Sequence, residues 1–225
     1  MRKVILGIIF LTLYFGVSAA IYFASAGQTD FPLAWAYFGI NLGLGVIFSI
    51  VLERVNPGLI AERFKPGPGE QDRVFKIGIS VLMLLMLVVA GLDVGRLHWS
   101  GKIPAWLQIA ALVCALVGYL LAAWATLANR FFSSAVRLQA DRGQVVIDSG
   151  PYRFVRHPGY SGALPYLAFS GLALGSWVAT LVAGAPMIVI LLRRTLLEDK
   201  MLREGLSGYK EYAARVRYRL VPRLW

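Results

Sequence analysis

The sequence predicts an all-α, polytopic integral membrane protein with four transmembrane helices and a C-terminal helical hairpin. Three observations carry this. Hydrophobic residues make up 58% of the 225-residue chain and charged residues only 16%, against about 25% charged in an ordinary soluble domain. A soluble fold of this size could not hide so much apolar surface, and the same composition excludes disorder. The apolar residues also gather into runs of spanning length, since a bilayer core needs about 20 apolar residues. Finally, the net charge of +11 is confined to a few segments, as expected where cytoplasmic loops collect Lys and Arg.

The first span runs over about residues 4–24, behind Arg2 and Lys3. Ala24-Ser25-Ala26 resembles a signal-peptide cleavage site, but the apolar run exceeds a signal core and further spans follow, so a retained helix is expected. The second covers about residues 33–52, the third 74–94 and the fourth 104–127, with Pro104 suited to a first helical turn. The last apolar stretch, residues 161–192, is long for one helix and short for two. Gly175-Ser176 at its middle predicts a tight hairpin of short or tilted helices. Charge placement agrees: every Lys and Arg except Arg96 and Lys102 falls on one side if this stretch crosses twice or returns. Both termini are then cytoplasmic, in a bacterial inner membrane or an endoplasmic reticulum.

Residues 53–73, with Pro57, Pro66 and Pro68, read as a loop with a short interfacial helix. Residues 130–160 form a longer polar segment with an extended piece, Gln144-Val145-Val146-Ile147-Asp148. The tail after Leu192 is basic and amphipathic. No internal repeat is visible, so the chain reads as one domain, with residues 1–130 supplying the N-terminal spans and 131–225 the chemistry. One cysteine, Cys114, excludes an internal disulfide, and two histidines, His98 and His157, leave little basis for a metal site.

The densest polar motif is Gly150-Pro151-Tyr152-Arg153-Phe154-Val155-Arg156-His157-Pro158-Gly159-Tyr160-Ser161-Gly162. Pro158 marks a helix entry with His157 just outside it. Unpaired N–H groups and the positive end of the helix dipole suit a ligand's polar groups there. The plainer alternative is a Pro/Gly membrane-entry turn with Arg anchors. In the second motif, Arg193-Arg194-Thr195-Leu196-Leu197-Glu198-Asp199, residues Arg194 and Glu198 are four apart and share a helical face. Its alternative reading is a salt-paired helix end with snorkelling arginines. His98-Trp99 and the tryptophans at 35, 106, 124 and 177 read as interface anchors or packing residues. Asp93 is either a functional intramembrane acid or close enough to the interface to be solvated. Arg137 is a candidate ligand contact by position.

Taken as an ordered set, the two motifs together with Leu202, Gly208-Tyr209, Tyr212, Val216 and Pro222 resemble the isoprenylcysteine carboxyl methyltransferase family, and more loosely the phospholipid methyltransferases. The likeness covers the C-terminal 90 or so residues. It implies transfer of a methyl group from S-adenosylmethionine, leaving S-adenosylhomocysteine, to a lipid or prenylated small-molecule substrate at the cytoplasmic face, with no role for nucleic acid. The implied cofactor contacts are Gln144, Val145, Val146, Ile147, Tyr152, His157, Pro158, Gly159, Tyr160 and Glu198. Arg194 would face the substrate and act with Glu198 in catalysis. Three departures from the family pattern stand out: Asp199 in place of a second Glu, Gln144 in place of a frequent His, and Leu206-Ser207-Gly208 in place of a Phe-Gly step. Phospholipid amine N-methylation, NADPH-dependent reduction of the sterol-reductase type and small-molecule transport are the competing functions. Oligomeric state is open.

Overall fold

The computed structural model describes residues 2–63, 70–133 and 135–225. Pro66 and Pro68 lie outside them. Every regular element among the described residues is helical, as lipid requires of a backbone that must satisfy its own hydrogen bonds. The long helices are α1 (Arg2–Ala26), α2 (Pro32–Val55), α4 (Glu70–Leu92) and α5 (Ala105–Ala128). Short α3 (Leu59–Arg63) falls in the expected interfacial loop. α6 (Pro158–Ala173) is followed by α7 (Trp177–Ala179), a π-turn (Thr180–Gly184) and α8 (Ala185–Gly205), which run on as one rod; α9 (Tyr209–Arg215) closes the chain. Among the described residues, five helices are long and apolar enough to cross a membrane: those within Ile5–Ala26, Pro32–Val55, Asp72–Leu97, Ala105–Ala128 and Trp177–Gly205. α6, with 16 residues, reaches about 24 Å.

Proline sits in the first turn of α2 and α6, where its missing N–H costs nothing. Pro104 instead caps α5, one position outside it. Side chains facing outward are large and apolar, such as Leu13, Ile47, Val81, Val117 and Val189. Small residues set the inner contacts. Gly91 and Gly95 of the α4 rod lie on the α1 backbone at Tyr22 and Ala26, and Gly118 of α5 lies on Gly162 of α6. A methyl group on Gly118 or Gly162 would strike the other's carbonyl oxygen. Gly162→Leu is therefore expected to lower stability by about 1–3 kcal/mol or more, as overpacking does, whereas Gly39→Ala, in open space inside α2, should not lower it. Thermal unfolding in detergent reads the difference.

The α6–α7 turn returns to the end of the bundle that holds the α1–α2 and α4–α5 connections. Tyr22 donates to the Leu174 carbonyl (3.0 Å), and Arg96 donates to the Ser25 carbonyl (2.8 Å). Asp93 opens a π-turn (Asp93–Leu97) and is buried, not solvated. Its carboxylate accepts from Ser100 N (2.8 Å) and from the hydroxyls of Ser100 and Ser176. It pins the α4–α5 loop to α7, a structural knot. The chain's C-terminal tail and the polar segments lie at the opposite end.

Candidate active site

At that opposite end, a cavity of about 460 Å³ lies among α2, α4, α5, α6, α8 and the segment before α6. Its lining combines apolar side chains, among them Phe48, Ile79, Leu167 and Leu191, with the polar groups of Gln144, His157, Arg194 and Glu198. Such a volume and mixture suit a small-molecule ligand.

The wall is built upward from the Arg-His-Pro turn. His157 is the N-cap of α6 and Pro158 its first residue. The entry is held by the tail: Arg156 N and His157 N donate to the Tyr218 and Arg219 carbonyls (2.9 Å each), and Ser161 Oγ donates to the Leu220 carbonyl (2.6 Å). Gly159 lets the Phe132 ring close in, since a Cβ there would lie 2.7 Å from it. Tyr160, one residue on, joins the two motifs. Its hydroxyl donates to Glu198 Oε2 (2.6 Å) and accepts from Arg194 Nε (2.9 Å). Arg194 and Glu198 thus share a face, as their spacing predicts, but are bridged by a phenol instead of paired directly.

Arg194 has a further partner that sequence reasoning missed. Asp72 of α4 lies 2.9 Å from Arg194 Nη1 and also accepts from Val136 N (3.1 Å). The Phe75 ring lies under the guanidinium, 4.0 Å from its carbon. Both members of the ion pair are buried. The only signal in the sequence was an acid at the edge of an apolar run, with nothing to give its partner. Arg137 lines the cavity and is ion-paired to Glu62 of α3.

Asp199 is next to Glu198 in sequence but points elsewhere, because successive helical residues differ by about 100° around the axis. It receives Arg156 through Nε (2.7 Å) and Nη2 (3.1 Å), Arg203 Nε (3.0 Å), Arg219 Nε (3.1 Å) and the Tyr209 hydroxyl (3.0 Å), with His157 Nε2 at 3.3 Å. Arg156 also donates to the Val216 (2.8 Å) and Arg217 (2.7 Å) carbonyls. Burial alone would lower the Arg156 pKa, but Asp199 outweighs it and holds the group above its ordinary value. Burial, reinforced by Asp199, pushes the Tyr209 phenol up, so it remains a donor. A carboxylate so saturated is a clasp for the tail and is not placed to take a proton.

Of the residues assigned to the cofactor, Gln144, Val145, Val146, Ile147, Tyr152, His157, Gly159, Tyr160 and Glu198 all line the cavity, as does Arg194. Pro158 does not; it is buried at the helix start and shapes the turn instead. Residues 144–148 run without regular structure. Among the described residues, the N–H groups of Val145, Val146 and Ile147 have no backbone partner, leaving a strip of hydrogen-bonding groups beside the cavity. Gln144 accepts from Gln139 N (2.7 Å), which folds the segment back. Asn129 donates to the Tyr152 hydroxyl (3.1 Å), tying the end of α5 to the wall.

These features define a polytopic helical membrane protein with an internal amphipathic cavity at one face of the bundle, ringed by ion pairs. Residues 106–204 match the model of the Isoprenylcysteine carboxyl methyltransferase (ICMT) family. The match starts at Trp106 in α5, earlier than the motifs alone indicated, and stops at Glu204, before the tail. No curated protein matches the chain.

Proposed function

We propose that the protein transfers a methyl group from S-adenosylmethionine to a lipophilic acceptor, in the first instance the carboxylate of a prenylated-cysteine-like molecule, at the cytoplasmic membrane face. The cavity end of the bundle, with both termini, faces the cytoplasm, and α6 with the α7–α8 rod forms a membrane hairpin. The observation that carries this reading is the continuity of one cavity. It joins the backbone strip at 145–147, the Arg194–Tyr160–Glu198 chain and an apolar recess.

The residues fit the donor. The N–H groups of Val145, Val146 and Ile147 offer hydrogen bonds to a base edge. Glu198, which among the described residues holds only the Tyr160 hydroxyl, offers a carboxylate to ribose hydroxyls or a positive centre. His157 stacks beside Tyr160, with ring centroids 6.0 Å apart, and closes the wall. When bound, the cofactor supplies an electrophilic methyl group on a sulfonium. Displacement there needs nucleophile, carbon and sulfur in line, so the chain's task is positioning. A carboxylate is already a nucleophile and requires no general base. Arg194 can present a forked, charge-assisted contact to it; Asp72 and Tyr160 hold that guanidinium in place, and an acceptor carboxylate would share it. Phe48, Ile79, Tyr119 and Leu167 would receive the lipid tail, which then enters from the bilayer without crossing water.

Lipid extracts incubated with purified protein and deuteromethyl-labelled cofactor test the reading. A lipophilic product heavier by one labelled methyl group, seen by mass spectrometry and absent without protein, supports it. No labelled product from any extract would overturn it.

A further inference from the structure

Four cations line the cavity among the described residues: Lys76, Arg137, Arg156 and Arg194. Three have a carboxylate within the protein. Arg137 pairs with Glu62, Arg156 with Asp199, and Arg194 with Asp72. Lys76 has none. It is half-buried, and no described residue offers it an ion pair or hydrogen bond. The nearest acid along its helix, Asp72, is one turn away, where it could pair with a lysine. Its carboxylate is turned instead to Arg194 and Val136 N.

Glu198 is the opposite case on the α8 wall, a carboxylate holding one hydroxyl and no cation among the described residues. Among the described residues, the cavity therefore carries a carboxylate on α8 with no cation bonded directly to it and an ammonium on α4 with no carboxylate. A cationic cofactor answers the first. The second calls for an anion, and its neighbours in the lining limit what can carry that anion. Phe75 and Ile79 stand within one turn of it on α4, and Phe48 of α2 lines the same cavity; all three are apolar. A half-buried ammonium among apolar walls is worth most to a partner that brings its own charge into that low-dielectric setting.

We propose that Lys76 anchors the anionic head of the acceptor, so that the acceptor is a negatively charged lipid whose carboxylate or phosphate lies between Lys76 and the Arg194 side of the cavity. Lys76 is then a specificity-determining residue. It selects charged amphiphiles over neutral ones of equal chain length. The inference deepens the methyl-transfer reading and rests on it for the acceptor's role, although the binding it requires can be measured without turnover.

The test compares the wild-type chain, Lys76→Gln and Lys76→Arg in non-ionic detergent. The probes are a long-chain fatty carboxylate, a lysophosphatidate and a neutral monoacylglycerol of the same chain length. Native mass spectrometry reads lipid binding, and S-adenosylhomocysteine binding is titrated in parallel. The wild type should prefer at least one anionic probe over the neutral one by about tenfold or more. Lys76→Gln should lose that preference, Lys76→Arg should keep most of it, and cofactor-product affinity should stay the same in all three. The anionic probe more sensitive to Lys76→Gln identifies the head group as carboxylate or phosphate. A wild type with no preference, or a Lys76→Gln variant that keeps it, overturns the proposal. Failure of the methyl-transfer reading would show separately, as absence of S-adenosylhomocysteine binding in every variant.

Discussion

Glu198→Ala and Arg194→Ala are each expected to abolish methyl transfer, with different signatures. Removing the Glu198 carboxylate takes away the acceptor of the 2.6 Å bond from Tyr160 and the one cavity carboxylate without a cation among the described residues. Cofactor-product binding should fall with activity. Removing the Arg194 guanidinium leaves Asp72 buried without that counter-ion. Breaking a buried pair costs about 3–5 kcal/mol, so Arg194→Ala risks misfolding as well as inactivity. Arg194→Lys separates the two effects. It keeps a positive charge for Asp72 but loses the planar fork, and misplacement of an acceptor by about 1 Å is enough to cost about 10²-fold in rate. The expected outcome for Arg194→Lys is a folded protein that binds S-adenosylhomocysteine with unchanged affinity and transfers methyl groups at least that much more slowly. Labelled methyl transfer and a binding titration on the same preparation check both statements.

Asp199→Ala should have the largest effect on the fold. Three guanidinium groups, a phenol and an imidazole converge on this one carboxylate. Without it, Arg156 is buried beside carbonyls alone and the tail loses its clasp. A loss of about 3–5 kcal/mol is expected, as for other broken buried ion pairs. The damage should centre on the tail and the α6 entry, because Arg156 N and His157 N depend on the Tyr218 and Arg219 carbonyls. Hydrogen exchange should rise in residues 206–225 and at the α6 entry while α1 and the α4 rod stay protected, and the thermal midpoint should fall. Wild-type protection of the tail in Asp199→Ala would refute the clasp.

Composition and the length of the apolar runs made the helices legible. Lipid leaves few options for an apolar run of spanning length, so the expected spans at 4–24, 33–52 and 104–127 differ from α1, α2 and α5 by a few residues at their ends. The third differs more usefully. Expected to begin at residue 74, α4 begins at Glu70, which brings Asp72 into the helix and onto Arg194. Charge at a span's edge reads as loop in a hydropathy pattern, and only tertiary pairing shows otherwise. The same limit hid the Glu62–Arg137 pair, which joins residues 75 positions apart. The π-turns at Asp93–Leu97 and Thr180–Gly184 left no mark on the sequence, since one extra residue in a turn does not disturb an apolar run.

The candidate site was legible chiefly through the order of its motifs. Spacing alone put Arg194 and Glu198 on one face, and both line the cavity. Spacing could not distinguish Glu198 from Asp199, two adjacent acids in a charged helix end. Their roles part because one faces the cavity and the other the tail. Nor could it separate Pro158, which only shapes the turn, from Gly159 beside it, which lines the cavity. Lys76 was invisible for a related reason. An ammonium is informative only once its neighbours' carboxylates are seen to be taken.

The central claim is that the cavity bounded by His157, Tyr160, Arg194 and Glu198 holds a methyl-donating sulfonium nucleoside. Equilibrium binding of labelled S-adenosylhomocysteine and of NADPH to the detergent-solubilised protein tests it most directly. The expected result is saturable binding of S-adenosylhomocysteine that disappears in Glu198→Ala, with no binding of NADPH. Saturable NADPH binding without any for S-adenosylhomocysteine would contradict it.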